Sequence, residues 1–279
     1  MTAREAFISV RDKLREAKVT EPEAKAREIV AHALKIDYAD IFFYQRVEPD
    51  ALEAISAMAQ RCAQGEPVQY ITGLAYFRHL TLSVTPDVLI PRKETELVAE
   101  KAIDLVKEHG FQTVLDMCTG SGCIAVSLAT ETSVTVEACD ISEKALVVAR
   151  RNALEGGATV RFFTSDMFAG ADRPYDLIVC NPPYVSEEEY ETLSVDVHDY
   201  EPRLALVAED GGYAFYRRIA AEASQYLTEG GMLVLEIGAQ QAPGVEALLQ
   251  SAFTSVMRYK DYEGRNRIVT AQKKQVCHV

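Results

Sequence analysis

The chain has 279 residues, 48% of them hydrophobic and 25% charged, which is ordinary for a globular protein and leaves material for a sizeable core in one large domain or two. No apolar run approaches the roughly 18 to 20 residues that a membrane span needs, and the N-terminus, MTAREAFISVRDKLREAK, is charged and amphipathic without the apolar centre of a signal peptide, so a cytoplasmic location is expected. The formal net charge of −13 argues against tight non-specific binding to a phosphate backbone, which requires clustered Lys and Arg to displace counterions.

The first 70 or so residues read as short helices. Phe7, Val10 and Leu14 share a face at helical spacing. TEPE at 20–23 has the spacing of a capping box with Pro in the first turn, and it opens a segment carrying Ile29, Val30, Ala33 and Leu34. Ile55, Met58, Ala59 and Cys62 repeat the pattern after Pro49. A helical domain over residues 1–72 is therefore expected. AYFRHLTLSV then alternates toward period two and predicts a β-hairpin connector over 73–92, with the boundary near Gly73.

From Glu94 onward helix-like and strand-like segments alternate, defining a third region over 93–279. A helix through Leu97, Ala102 and Leu105 precedes the strand TVLDM, and a helix from Ser121 precedes VTVEACD. The helix EKALVVARRNALEG leads to TVRFFTSD and YDLIVCNPPY, followed by GGYAFYRRIAAEASQYL, the strand GMLVLEIG, the helix APGVEALLQSAF and two last strands, SVMRYKDY and RNRIVTAQ. Such alternation predicts an α/β fold with a mostly parallel sheet covered on both faces, and ligands bind such sheets at the carboxyl ends of the strands.

Those strand ends carry the candidate chemistry. Gly120 and Gly122 leave the backbone bare after the first strand of this sheet, where a ligand can approach closely, although a tight turn alone would use the same residues. Asp140 ends the second, about 20 residues on, where a carboxylate can accept ribose hydroxyls of an adenosine-containing cofactor, or else cap the helix that follows. At the end of the third, Asp166 offers an acceptor for an adenine amino group and Met167 an apolar cover for the ring; a plain turn fits the spacing as well. The fourth ends in Asn181-Pro182-Pro183-Tyr184. Two prolines leave the backbone almost no freedom, so the Asn181 amide oxygen and the Pro182 carbonyl oxygen become two acceptors aimed at one spot, suited to a planar NH2 group, with the Tyr184 ring beside it. An amide or aryl-amine nitrogen is a poor nucleophile because its lone pair is delocalised; holding both of its hydrogens restores electron density and fixes its approach to an activated methyl group.

VLDMCTGSGC, ACDIS, SDMF and CNPPYV, in that order, resemble the Rossmann-like class I methyltransferases that use S-adenosylmethionine, with a seven-stranded sheet. GEPVQYITG, VLIPRKETE, YEPRLAL, LEIGAQQ and EGRNRIV narrow the resemblance to the protein release-factor glutamine methyltransferases, from the helical N-terminus to the last strand. The resemblance implies methylation of the side-chain amide of the glutamine in the Gly-Gly-Gln loop of a peptide chain release factor, with residues 1–72 recognising that substrate and the protein acting as a monomer. It also implies that Cys118, Thr119, Gly120, Ser121 and Gly122 face the methionine part of the cofactor, Asp140 its ribose, and Asp166 and Met167 its adenine. Asn181 would lie beside cofactor and substrate, Pro182, Pro183 and Tyr184 would line the glutamine pocket, and Arg92 and Thr95 would lie over the cofactor. Cys118, Lys93 and Met167 depart from the residues usual in the family, which are glycine, proline and an aromatic or other apolar residue.

Three other functions use parts of this pattern. Asn-Pro-Pro-aromatic suits the amino group of a flipped adenine in nucleic acid equally well. The segment 187–210 opposes it with Glu187, Glu188, Glu189, Glu191, Asp196, Asp199, Glu201, Glu209 and Asp210 against Arg203, a rim that repels phosphates and that either docks a protein or is simply solvated. A nicotinamide-dependent oxidoreductase gives NPPY no role, and a binding protein without activity is the remaining possibility. The six cysteines, Cys62, Cys118, Cys123, Cys139, Cys180 and Cys277, have no C-x-x-C pair or histidine at zinc spacing, so reduced structural thiols and no metal are expected.

Overall fold

The computed structural model describes residues 1–274 and forms two compact units, Met1–Leu74 together with Ser194–Tyr200, and the remainder of the described chain. In the first unit, α1 (Ala3–Glu16), α2 (Pro22–Leu34), α3 (Pro49–Ala63) and the short α4 (Val68–Thr72) bury one core. Phe7, Val10 and Leu14 of α1 meet Ile29 and Val30 of α2 and Ile55, Ala59 and Cys62 of α3, as their helical spacing requires. Ser194–Tyr200 joins this unit, and the Tyr200 hydroxyl donates to the Gln64 carbonyl at 3.4 Å.

The capping box lies elsewhere than TEPE. Thr2 caps α1 by accepting from the Glu5 N–H at 3.1 Å, while the Glu5 carboxylate accepts from the Thr2 N–H at 2.8 Å. Before α2, Glu21 is the cap, left-handed at φ 52° and without a side-chain bond, and the Thr20 hydroxyl instead accepts from Lys25 Nζ at 3.3 Å. Proline favours the first helical position, where its missing N–H costs nothing, so Pro22 starts the helix and leaves Glu23 one residue short of the position the box needs.

At the start of the second unit, β1 (Leu74–Phe77), whose first residue closes the first unit, and β2 (Leu80–Ser83) pair as the expected hairpin. Helix α5 (Lys93–His109) leads to β3 (Thr113–Met117), α6 (Cys123–Glu131), β4 (Thr135–Asp140), α7 (Glu143–Glu155), β5 (Val160–Thr164) and β6 (Tyr175–Cys180). After several short helical turns come α8 (Ala214–Glu222), β7 (Leu227–Glu236), α9 (Ala242–Leu249), β8 (Phe253–Lys260) and β9 (Asn266–Lys273). The sheet has seven strands in the order β5-β4-β3-β6-β7-β9-β8, with β9 antiparallel to both of its neighbours and the remaining pairs parallel.

Alternation along the strands sends successive side chains to opposite faces. Val114, Leu177, Val179 and Val234 pack with Val98 and Ala102 of α5 and Ile124 of α6. Leu115, Ile178, Cys180, Leu233 and Leu235 pack with Ile219 of α8 and Val245 and Leu249 of α9. The same alternation carries the polar residues Asp116, Asn181 and Glu236 toward the α5 side at the carboxyl ends of their strands. Because Cys180 is in register with Leu235, Asn181 and Glu236 follow side by side.

One buried amide ties the hairpin to the sheet. Asn152 of α7 is 1% exposed; its Oδ1 accepts from the Ser83 N–H at 2.7 Å, and its Nδ2 donates to the carbonyls of Ser83 at 3.0 Å and Ser121 at 2.8 Å. Removing it strands three buried backbone groups. Asn152→Ala is expected to lower the free energy of unfolding by about 2–4 kcal/mol, measured by urea denaturation, with the loss shared by the hairpin and the turn around Ser121.

Candidate active site

The strand order reverses between β3 and β6, and there the strands leave a cavity of about 440 Å3 at their carboxyl ends. Cys118, Thr119, Gly120 and Ser121 line it after β3, Asp140 and Ile141 after β4, Asp166 and Met167 after β5, and Asn181 and Pro183 after β6. Arg92 and Thr95 contribute from the start of α5, and Phe215 and Arg218 from α8. Gly122, Pro182 and Tyr184 are not part of this lining.

The two glycines have separate tasks. Gly120, at φ +53°, has nothing within 4 Å of where a Cβ would stand, so the turn is open on that side, and its N–H donates to Asp140 Oδ2 at 2.9 Å. Gly122, at φ +80°, caps α6, and a Cβ there would lie 3.0 Å from the Ala149 Cβ and 3.2 Å from its Cα. Close packing of α6 on α7 therefore demands this glycine. Beneath the turn, Asp116 accepts from the Thr119 hydroxyl at 2.6 Å and the Ala125 N–H at 3.1 Å, while its Oδ1 is buried with no partner among the described residues. Burial pushes this carboxyl up to about 7.

Asp140 braces the turn and the next helix together. Its Oδ1 accepts from the Ser142 N–H at 2.9 Å, but the cap of α7 is Ser142, whose hydroxyl accepts from the Ala145 N–H. Burial raises the Asp140 carboxyl, with the bonds from Ser142 and Gly120 opposing the rise. Asp166 forms an ion pair with Arg218 at 2.7 Å. Met167 is buried beside it in the left-handed region at φ 53°.

After β6, the Asn181 Nδ2 donates to Thr95 Oγ1 at 3.3 Å, and Thr95 Oγ1 donates to Glu236 Oε2 at 2.7 Å. The Tyr184 hydroxyl donates to the other oxygen of the same carboxylate at 3.3 Å, and the Tyr184 carbonyl accepts from Gln241 Nε2 at 3.0 Å. Glu236 is 2% exposed. Its burial pushes the carboxyl up to about 7 against the hydrogen bond from Thr95 and the charge of Arg267. Burial, followed by the nearby Glu236, holds the Tyr184 phenol above its ordinary range. Arg92 forms an ion pair with the buried Glu201, whose Oε2 also accepts from the Ile90 N–H at 3.2 Å.

Gly120, Asp140, Asp166, Met167 and Asn181, from four separate strand ends, thus meet around one cavity. Glu236, Asp116 and Arg218 join the site without being named by any motif in the sequence. Glu236 and Asp116 each had a signal, a carboxylate in an otherwise apolar strand, as in GMLVLEIG and TVLDM. Arg218 had none. Of the acidic segment, Glu187 pairs with Arg203, Glu189 accepts from the Ser186 N–H within a capping box, Asp210 pairs with Arg217, and Glu201 is the buried partner of Arg92. Of these four acids Glu201 is buried, while Glu187, Glu189 and Asp210 stay exposed at the surface beside their partners. The five described cysteines are free, Cys277 lies outside the described residues, and no metal-binding cluster of His, Cys, Asp or Glu occurs among the described residues.

Two family models match the chain, a methyltransferase small domain over residues 95–197 and a PrmC N-terminal domain over residues 5–73. A release factor glutamine methyltransferase from Chlorobaculum tepidum is 40% identical over 267 residues, covering 90% of each chain. One of the same description from Koribacter versatilis is 37% identical over 279 residues, covering 98% of this chain and 99% of that one. The chain belongs to the release factor glutamine methyltransferase family. A solved methyltransferase from Pyrococcus furiosus shares the fold at a TM-score of 0.54 and 17% identity, covering 79% of this chain and all of that one.

Cys118 occupies the left-handed region at φ 60°, a conformation that favours glycine. A Cβ there costs roughly 1–2 kcal/mol. Cys118→Gly is expected to be more stable than Cys118→Ala by about 1 kcal/mol in chemical denaturation, since both variants lose the thiol and only the alanine keeps the strained Cβ. Glu236 and Asp116 also make stability depend on pH. Their folded carboxyls sit at about 7, above the ordinary 4.5 and 3.8, so the folded protein binds the protons more tightly. Their contribution is full below those ordinary values and is lost as pH rises through about 7. The unmodified protein is accordingly expected to lose Tm between about pH 5 and about pH 8, and Glu236→Gln to narrow that fall, as followed by calorimetry at a series of pH values.

Proposed function

We propose that the protein transfers a methyl group from S-adenosylmethionine to the side-chain amide nitrogen of the glutamine in the Gly-Gly-Gln loop of a peptide chain release factor. The observation that carries this reading is that Asn181, at the rigid Asn-Pro-Pro end of β6, lines the same cavity as the open glycine turn and Asp140. Family membership supports the same substrate.

The cavity fits the cofactor. Its volume lies within the range of small-molecule sites, its walls combine apolar Ile141, Met167 and Phe215 with the carboxylates of Asp140 and Asp166, and Gly120 leaves the backbone approachable. When bound, S-adenosylmethionine supplies a methyl group on a positively charged sulfur. Asp140 would take the ribose hydroxyls with the lone pairs left by its bonds to Gly120 and Ser142, and Ile141, Met167 and Phe215 would enclose the adenine. The role sketched from sequence for Asp166 has to share that carboxylate with Arg218. Gly122 supports the turn through helix packing, without lining the site itself.

Asn181 Oδ1 and the Pro182 carbonyl have no hydrogen-bond partner among the described residues. They would accept the two hydrogens of the substrate NH2, returning electron density to nitrogen and fixing its line of approach. Positioning of this kind is worth up to several kcal/mol of barrier. Pro183 adds a wall, and Tyr184, anchored through its hydroxyl to Glu236, would hold the motif in place and offer its ring face to the glutamine. The decisive test is transfer of labelled methyl to an unmodified release factor. Label is expected on the release factor, absent from its Gln→Ala loop variant and from an adenine-containing duplex, and reduced at least ~100-fold by Asn181→Ala; label on the duplex would transfer the activity to nucleic acid.

The helical unit is the part proposed to recognise the body of the release factor. Phe42, Phe43 and Tyr44 present apolar surface there, with Phe43 75% exposed. Phe43→Ser should raise KM for the release factor while leaving cofactor affinity unchanged in calorimetric titration, and an unchanged KM would remove this patch from the recognition surface.

A further inference from the structure

The amide of Asn181 can be held two ways round. With its NH2 turned away from the cavity it offers an acceptor to a substrate amide; flipped, it offers donors, which repel the substrate NH2. The chemistry read for this site therefore needs something that distinguishes oxygen from nitrogen at this one side chain. The partner the structure gives it is a hydroxyl, which has one proton and can serve either way. That hydroxyl is not free to choose. Thr95 is 3% exposed and its proton lies on the short 2.7 Å contact to Glu236 Oε2, leaving its lone pairs to receive Asn181 Nδ2 at 3.3 Å.

We infer that Thr95 and Glu236 are positioning residues that set the direction of a hydrogen-bond relay, carboxylate to hydroxyl to amide, and so hold Asn181 Oδ1 as the acceptor for the substrate nitrogen. The inference rests on the proposed role of Asn181. The backbone has already placed the three together. Asn181 and Glu236 come from neighbouring positions at the ends of β6 and β7, on the side covered by α5, and Thr95 lies in the first turn of that helix. The Tyr184 hydroxyl donates to Glu236 Oε1 and thereby leaves Oε2 for Thr95.

The relay is reversible by one proton. A protonated Glu236 donates to Thr95 Oγ1, the Thr95 proton turns toward Asn181, and the amide flips to receive it with oxygen. The groups around the carboxyl are Thr95 and Glu94 of α5, Cys123 of α6, Tyr184 after β6, Arg267 of β9 and Tyr216 of α8, whose hydroxyl donates to the Glu236 backbone carbonyl at 3.0 Å. Arg267 favours the carboxylate, while Glu94 and burial favour the acid, leaving the balance at about 7. Turnover is therefore expected to fall as pH drops below about 7.

The test compares Thr95→Val, Thr95→Ser and Glu236→Gln with the full-length enzyme, using purified release factor and labelled S-adenosylmethionine across about pH 5.5 to 8.5. Thr95→Val keeps the shape without the hydroxyl and should lower kcat ~10- to 100-fold, with KM for the release factor and cofactor affinity within about threefold. Thr95→Ser should restore kcat and the pH inflection. Glu236→Gln, which preserves the volume and removes the titrating proton, should fold and show no inflection near neutrality, and it decides the matter if the valine variant is unstable. Wild-type kcat in Thr95→Val, or a wild-type inflection in Glu236→Gln, would overturn the relay while Asn181→Ala remains inactive. Full activity in Asn181→Ala would instead overturn the role of Asn181 and the relay with it.

Discussion

A carboxylate buried at the end of a central strand must have its oxygens occupied by donors, and Glu236 is occupied by two hydroxyls from distant parts of the chain, Thr95 and Tyr184. Much of the site is organised by that requirement. Thr95 fixes the first turn of α5 over the sheet and receives the Asn181 amide, and Tyr184 fixes the segment after the two prolines. Unpaired, the same charge would cost several kcal/mol, so these side chains are held as a set.

The set forms where it does because of strand alternation. Residues of β3, β6 and β7 that face α5 are apolar along the strand bodies and turn polar only at the carboxyl ends, as Asp116, Asn181 and Glu236. One-residue slippage of β6 against β7 would exchange Asn181 for a residue pointing to the α8 and α9 side. Register is therefore part of the active site as much as any side chain in it. Asp140 extends the same economy by bracing both the glycine turn and the start of α7 with one carboxylate.

The sheet, its helices and the cluster of strand ends were legible in the sequence because each rests on local signals: period two, helical spacing, glycines after a strand, prolines after another. The failures rest on competition or distance. Thr20 and Glu23 have the letters of a capping box, but Pro22 claimed the first helical position and shifted the count by one. The bareness of Gly122 shows in the sequence, but the side chain it makes room for, Ala149 on the next helix, does not. Asp140 and Ser142 both stand where a helix cap fits, and the structure gives that work to Ser142. Thr95 and Glu236 stand 141 positions apart, and nothing in either segment names the other. Arg218, paired with Asp166 across 52 positions, is silent for the same reason.

All residues lining the cavity belong to the second unit. The helical unit carries none of the groups assigned to methyl transfer, and its own core of Phe7, Ile29, Ile55 and their neighbours is closed within itself. Substitutions on its exposed face are therefore constrained by whatever it touches and not by the chemistry. On the recognition role proposed for it, that half is free to drift with the shape of the substrate protein while the catalytic half stays still, so selection can retune it without reinventing the reaction.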